Sequence, residues 1–331
     1  MKNFLELPEQ RRKDIFNQVS TLSGLPAYAV EKDWWVTLVL KAIFALPISE
    51  HIVFKGGTSL SKGWNLIERF SEDIDLAIDP KYFGFEGDLS KQQVHKLREK
   101  SCAFIQSDFL TALDNKLKEI GITGYSLVSP ENPPSDTDPL VLELHYESVI
   151  ENSSYIPTRV LIEIGARSLM EPSEKRPIQS LVSENIKGQP YSDAPVLLPV
   201  VLPKRTFLEK AFLLHEEFQK PTEKIRSERL SRHLYDLEKL MDTQHGKDAL
   251  ADKELYQHII KHRQIFNKVS AIDYANHSHD KINFIPPTEI QADWEKDYKS
   301  MQENMIYGES LAFNKLLERL KVLKERFHSV K

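Results

Sequence analysis

Most of the chemically capable residues of the chain lie in one segment, Phe54 to Asp79, which reads FKGGTSLSKGWNLIERFSEDIDLAID. Its last part alternates strictly between acidic or small and apolar residues. In a strand that alternation sends Asp73, Asp75, Ala77 and Asp79 to one face and Ile74, Leu76 and Ile78 to the other. Two carboxylates two residues apart then point the same way, and their like charges repel unless a cation lies between them. Hard oxygen donors of this kind suit Mg2+ or Mn2+. In two-metal phosphoryl transfer the ions sit about 4 Å apart and clamp the attacking and leaving oxygens. A bare Asp-x-Asp is more often the solvated face of an ordinary strand, so the weight falls on what precedes it.

Upstream, the apolar run Ile52-Val53-Phe54 ends at Gly56-Gly57, the pattern of a strand feeding a tight turn. Glycine lets the backbone approach a ligand closely and adopt positive φ. Thr58 and Ser59 follow at an expected helix start, offering hydroxyls and backbone N–H groups as a cradle for phosphate. Lys62 and Arg69 are expected to add positive charge near the phosphates; the plainer role for Arg69 is a structural partner to a carboxylate. A Walker A loop is excluded, because that motif needs glycine just before its lysine. Here Ser61 precedes Lys62 and Gly63 follows it.

The elements that must position these residues follow from periodicity. Residues 9–47, with Trp35, Leu38, Val39 and Ile43 at helical spacing, read as helix. Residues 59–70 and 88–120 also read helical. Ser129 to Pro139 reads as a loop, residues 140–146 and 159–165 as strands, and residues 189–203 as a connector. From Phe207 the pattern is mostly helical, with stripes at Phe207, Ala211, Leu214 and Phe218 and at Leu230, Leu234, Leu237 and Met241. These elements predict an α+β domain over residues 1–203 with a mixed sheet flanked by helices. A helical C-terminal domain is expected over 204–331.

The 331 residues suit two such domains, with 40% hydrophobic and 28% charged residues, as in ordinary soluble proteins. The lone cysteine, Cys102, cannot form an internal disulfide, which fits a reducing compartment. The start of the chain lacks the apolar stretch of a signal peptide. The longest apolar run, Val36 to Leu46, is broken by Lys41 and too short to span a bilayer. A cytoplasmic protein with no membrane partner is therefore expected. A net charge of −5 argues against tight, non-specific nucleic-acid binding. Local basic stretches remain: Lys220, Lys224, Arg226, Arg229 and Arg232, and, near the C-terminal end, Lys315, Arg319, Lys321, Lys324 and Arg326. Either can track an RNA backbone or simply form a solvated helix face.

Taken together, strand–GGTSL–helix–RFSEDIDL resembles the DNA polymerase β-like nucleotidyltransferase superfamily, with 13 residues between Ser59 and Asp73. It resembles most closely the AbiEii/AbiGii toxin family, the nucleotidyltransferase-like half of bacterial abortive-infection and toxin–antitoxin pairs. Val30-Glu31-Lys32-Asp33-Trp34-Trp35 is similar to the family's N-terminal helix. Phe207-Leu208-Glu209-Lys210 and Arg232-His233-Leu234-Tyr235-Asp236-Leu237 are similar to its central elements. Trp294 to Phe313 is similar to its closing helices. The resemblance implies a polymerase β-like fold and metal-dependent transfer from a nucleoside triphosphate. It implies catalytic roles for Asp73, Asp75, Lys210 and Asp236, with Lys210 on the triphosphate and Asp236 as a base or as the group that holds Lys210. It also implies a third metal-binding carboxylate on a later strand, for which Glu163 is the first candidate and Glu143 the second. Taken alone, Lys210 reads as a solvated helix lysine and Asp236 as half of a surface pair with Arg232. The acceptor implied is RNA, in some relatives the 3′ end of tRNA. The partner implied is a cognate antitoxin with a winged-helix fold. The alternatives are a nucleotide-binding or protein-interaction module without catalysis, and transfer of a nucleotide to a protein hydroxyl.

Overall fold

The apolar run before the glycines and the alternating segment after them form two antiparallel strands, β1 (Ile52–Lys55) and β2 (Ile74–Ile78). In the computed structural model, which describes residues 1–151, 157–167, 170, 172–266 and 272–330, they lie at the middle of a mixed sheet. The remaining strands are β3 (Tyr125–Val128), β4 (Leu140–Tyr146), β5 (Arg159–Gly165), β6 (Ser173–Ile178) and β7 (Val196–Val201). Among the described residues the order is β3-β4-β5-β2-β1-β7-β6, with β2–β5 and β1–β7 parallel and the other pairs antiparallel. The chain divides into two units, Met1–Trp64 with Phe70–Val201 and Asn65–Arg69 with Leu202–Lys331. The whole sheet belongs to the first.

Register puts one continuous apolar face into the core of that unit. Phe54 opposes Leu76, Ile74 opposes Ile162, and Leu142 opposes Ile162 from the other side. All are buried, as are Leu140, Leu144, Val160 and Ile164 on the same face. Helix Ala27–Ile43 is buried almost throughout, and its Trp35 ring stacks on Tyr146 at 5.0 Å. Three charged residues of that helix, Glu31, Lys32 and Asp33, are buried too, each with a partner. Glu31 accepts hydrogen bonds from Ser148 Oγ and the Val149 N–H. Lys32 pairs with Glu72 and donates to the Pro157 carbonyl at 3.0 Å.

Several elements differ from the sequence expectation. Residues 9–47 form two helices, Glu9–Ser23 and Ala27–Ile43, parted where Gly24 turns left-handed at φ 73° and Pro26 follows. The helix after the glycine turn spans Gly56–Lys62 rather than 59–70. Residues 65–69 leave it through Asn65 at φ 52°, and Arg69 makes an antiparallel bridge with Ile306 in the second unit. β2 is shorter than 73–79 because Asp79 caps the next turn, accepting from the Lys81 N–H at 2.9 Å. Strand β7 occupies a stretch expected to be a connector. Proline removes a ladder donor, and Pro199 is tolerated because β7 is registered with β1 only at Phe54 and Val200. Strand β6, polar and carrying Pro177, is an edge strand of the usual guarded kind.

In the second unit, helices Pro203–Phe218 and Ser231–Leu240 bury the stripes anticipated for them, Phe207, Ala211 and Leu214 in one and Leu234 and Leu237 in the other. Phe327 of helix Phe313–His328 stacks on Phe207 at 5.9 Å. The part of the helical expectation covering 267–271 lies outside the described residues.

One glycine of the sheet makes a stability test. A Cβ on Gly165 would lie 2.3 Å from Asp138 Oδ1 and 2.8 Å from the Pro139 Cα. The Asp138 carboxylate is itself fastened by the Ala166 and Arg167 N–H groups at 2.8 and 3.2 Å. Gly165→Ala is expected to lower stability by about 2 kcal/mol, an overpacking cost. A urea titration will show a lower midpoint at unchanged slope.

Candidate active site

Lys55 ends β1 in an extended conformation and Gly56 follows at φ 79°. The reason for glycine there is the Asp75 carboxylate. A Cβ on residue 56 would lie 1.8 Å from Asp75 Oδ2 and 2.6 Å from its Cγ. The acid is thus packed against the backbone of the turn, and only a residue without a side chain permits it. Thr58 Oγ1 donates to the Asp73 carbonyl and lies 2.9 Å from Ser71 Oγ. Ser59 Oγ donates to the Gly56 carbonyl at 2.8 Å. Both residues are fully buried. Their hydroxyls, expected to face phosphate, instead turn inward and fasten the glycine turn to the start of β2.

Asp73 lies one residue before β2 and Asp75 within it. Glu163 of β5 stands directly beside Asp75 in the parallel register. Glu143 lies one strand further out, where Arg159 Nη1 at 3.0 Å and His145 Nε2 at 2.9 Å engage it. Of the two candidates for a third carboxylate, Glu163 is the one adjoining Asp75. Among the described residues no group of three His, Cys, Asp or Glu side chains converges as a ready metal cage. The carboxylates of this row are hard oxygen donors, the type that suits Mg2+.

Two cations expected at the phosphates are each held by a carboxylate of the protein. Lys62 forms an ion pair with Asp33, whose other oxygen accepts from the Leu181 N–H at 2.8 Å. Arg69, only 1% exposed, belongs to the second unit and makes a two-pronged contact with Asp236, Nε to Oδ1 and Nη2 to Oδ2, both at 2.7 Å. Lys210 reaches Asp236 Oδ2 at 2.8 Å and lies 3.4 Å from His233 Nδ1. Asp236 is therefore no surface partner of Arg232. Burial pushes its carboxyl upward, but Arg69 and Lys210 outweigh that and hold it well below the usual carboxylate range. An acid so stabilised is a poor proton acceptor and a firm anchor, so of its two implied roles the geometry supports holding Lys210. Burial pushes the Lys210 ammonium down, with Asp236 opposing, and keeps His233 neutral so that its ring can accept from Lys210. His233 has no sequence signal: a lone histidine on a buried helix face has many ordinary explanations.

Part of the charge of the basic stretches is paired within the protein. Lys220 and Arg226 pair with Glu217, Arg319 with Glu238 and Asp242, and Arg326 with Asp242. Asp297, in the tail segment singled out above, accepts from the N–H groups of Arg229 and Ser231 at 2.6 and 3.0 Å and so pins the start of helix Ser231–Leu240. Among the described residues no helix is long and apolar enough to cross a membrane.

The sequence model described as "Nucleotidyl transferase AbiEii toxin, Type IV TA system" matches residues 38–319 of this chain. No curated protein matches it. Among solved structures, MenT4, a nucleotidyltransferase toxin from Mycobacterium tuberculosis H37Rv, is 18% identical, with 95% of this chain and 98% of that one covered at a TM-score of 0.42. JHP933 from Helicobacter pylori is 15% identical, with coverage of 92% and 93% and a TM-score of 0.42.

Two substitutions probe the geometry. Gly56→Ala is expected to expel the Asp75 carboxylate from its seat and to cost at least about 10²-fold in catalysis, as misplacement by about 1 Å does at a phosphoryl-transfer site; steady-state rates will show it. Asp236→Asn leaves Arg69 and Lys210 buried without their anion and is expected to cost about 3–5 kcal/mol of stability. Because the Asp236 pKa is depressed in the folded state, the stability it contributes is present above the unfolded carboxyl pKa of about 3.9 and is lost as pH falls below it. Denaturation of wild type and variant at neutral and acidic pH will show the difference between them shrinking in acid.

Proposed function

The chain belongs to the AbiEii nucleotidyltransferase toxin family of type IV toxin–antitoxin systems, and on that premise we propose that it transfers a nucleotide from a nucleoside triphosphate to an RNA acceptor, the 3′ end of tRNA being the first to test. The observation that carries the reading is the Asp75 carboxylate seated on the Gly56 backbone with Glu163 beside it. A glycine turn that brings an acid and the backbone together at the end of a strand is a place for a metal-bound phosphate.

In this reading Asp73 and Asp75, with Glu163 on the neighbouring strand, would hold Mg2+ or Mn2+ together with oxygens of the phosphates. Such an ion supplies charge neutralisation on the transferring phosphoryl group and its pyrophosphate. The rest is done by the chain itself. Gly56 and Gly57 let backbone approach the nucleotide, while Thr58 and Ser59 keep the turn in place from beneath. The family resemblance assigns Lys210 to the charge of the triphosphate, and within the second unit Asp236 and His233 hold its ammonium. Phosphoryl transfer asks mainly for positioning and fixed charge, which these residues are suited to give. The cognate antitoxin is assigned a winged-helix fold on the family resemblance.

The test is incubation with each labelled nucleoside triphosphate separately and total RNA. Label is expected in RNA with Mg2+ and not in EDTA. Asp73→Asn and Asp75→Asn are expected to abolish transfer while leaving the melting temperature unchanged or higher, because like-charge repulsion is relieved. Full activity in EDTA, or label found in protein alone, overturns the reading.

A further inference from the structure

The sheet sets Lys55 of β1, Asp75 of β2 and Glu163 of β5 in a single register row. Residues directly opposed in an antiparallel pair carry their side chains on one face, with Cβ atoms about 4.5–5.5 Å apart. Lys55 therefore emerges beside the Asp75 carboxylate, on the residue immediately before the glycine against which that carboxylate packs. The other cations near this segment are committed: Lys62 to Asp33, Lys32 to Glu72 and Arg69 to Asp236. Among the described residues no ion pair or side-chain hydrogen bond engages the half-buried Lys55 ammonium. One row along the same face, Val53 and Ala77 pack with Val201 under Met170. That side offers the ammonium nothing polar, and on the other lies the Asp75 carboxylate with the glycine turn.

We infer that Lys55 is a phosphate-binding residue, whose ammonium takes the pyrophosphate end of the nucleotide held at Asp75. A compact ammonium with three rotatable donors suits a polyphosphate as a point charge. The inference rests on the reading of Asp75 as the metal and nucleotide site. The competing role is narrower: a built-in counter-cation that relieves the repulsion between Asp75 and Glu163 and never touches substrate.

The two roles separate in binding measurements on the full chain. Wild type, Lys55→Met and Lys55→Arg are titrated in Mg2+ with the tri-, di- and monophosphates of the nucleoside that wild type binds best, and separately with Mn2+ alone. A phosphate-binding Lys55 predicts a loss of about 10- to 100-fold in triphosphate affinity for Lys55→Met, a smaller loss for the diphosphate and little for the monophosphate. Lys55→Arg is expected to recover most of it, and Mn2+ binding to stay unchanged. An equal loss for all three nucleotides, or tighter Mn2+ binding by Lys55→Met with no dependence on phosphate number, overturns the inference and leaves the nucleotide site standing. Absence of metal-dependent nucleotide binding by wild type overturns both.

Discussion

The fold of the first unit depends on one constraint, the two-residue period of β2. Ile74, Leu76 and Ile78 close the core while Asp73 and Asp75 face away from it, and a slip of one residue would exchange them. Burying two carboxylates without partners costs several kcal/mol each, so the register of β2 is fixed far more firmly than five residues of strand would suggest. Through β2 that register passes to both neighbours. Pairing with β1 sets Lys55 opposite Asp75, and pairing with β5 sets Glu163 beside it. The same arithmetic that keeps the core dry thus assembles a row of charge on the opposite face, with the glycine turn at its end.

The second unit is organised around a buried anion. Asp236 is inaccessible to solvent and held by Arg69 from the 65–69 segment and by Lys210 from helix Pro203–Phe218. Such a cluster contributes little net stability over an apolar replacement, yet losing one member is costly. It therefore specifies an arrangement more than it strengthens one. Here it decides where the 65–69 segment lies, since a guanidinium held by two parallel bonds tolerates little displacement.

What was legible in the sequence was local. β1 announces itself as an apolar run before two glycines and β2, β4 and β5 by alternation, none with proline, and the face shared by Asp73 and Asp75 follows from counting by twos. Strands β6 and β7 carry Pro177 and Pro199 and did not read as strands, because their pairing depends on which neighbour needs a donor and not on the segment itself. The partners of the charged residues were illegible for the same reason. Lys62 finds Asp33 from 29 residues away, Lys32 finds Glu72 from 40, and Arg69 finds Asp236 from 167. Proximity in sequence to a glycine turn suggested a phosphate for Lys62 and Arg69, and only the fold shows the carboxylates that claim them.

This gives a way to sort the charged residues of the motifs that carried the family resemblance. Lys32, Asp33, Lys62, Arg69 and Asp297 are each matched to a partner inside the protein, and that matching accounts for their presence without any ligand. Asp236 is matched too, but by two cations at once, so its effect is to set the condition of Lys210. The carboxylate row of β2 and β5 follows a different logic. There acids of one sign are brought side by side, an arrangement that costs energy unless something positive joins it. Register answers that cost in part by setting Lys55 opposite Asp75, beside the glycine whose missing side chain makes room for the acid. The ion pairs that hold the fold join residues far apart in the chain, whereas the charges of this row are brought together by strand register.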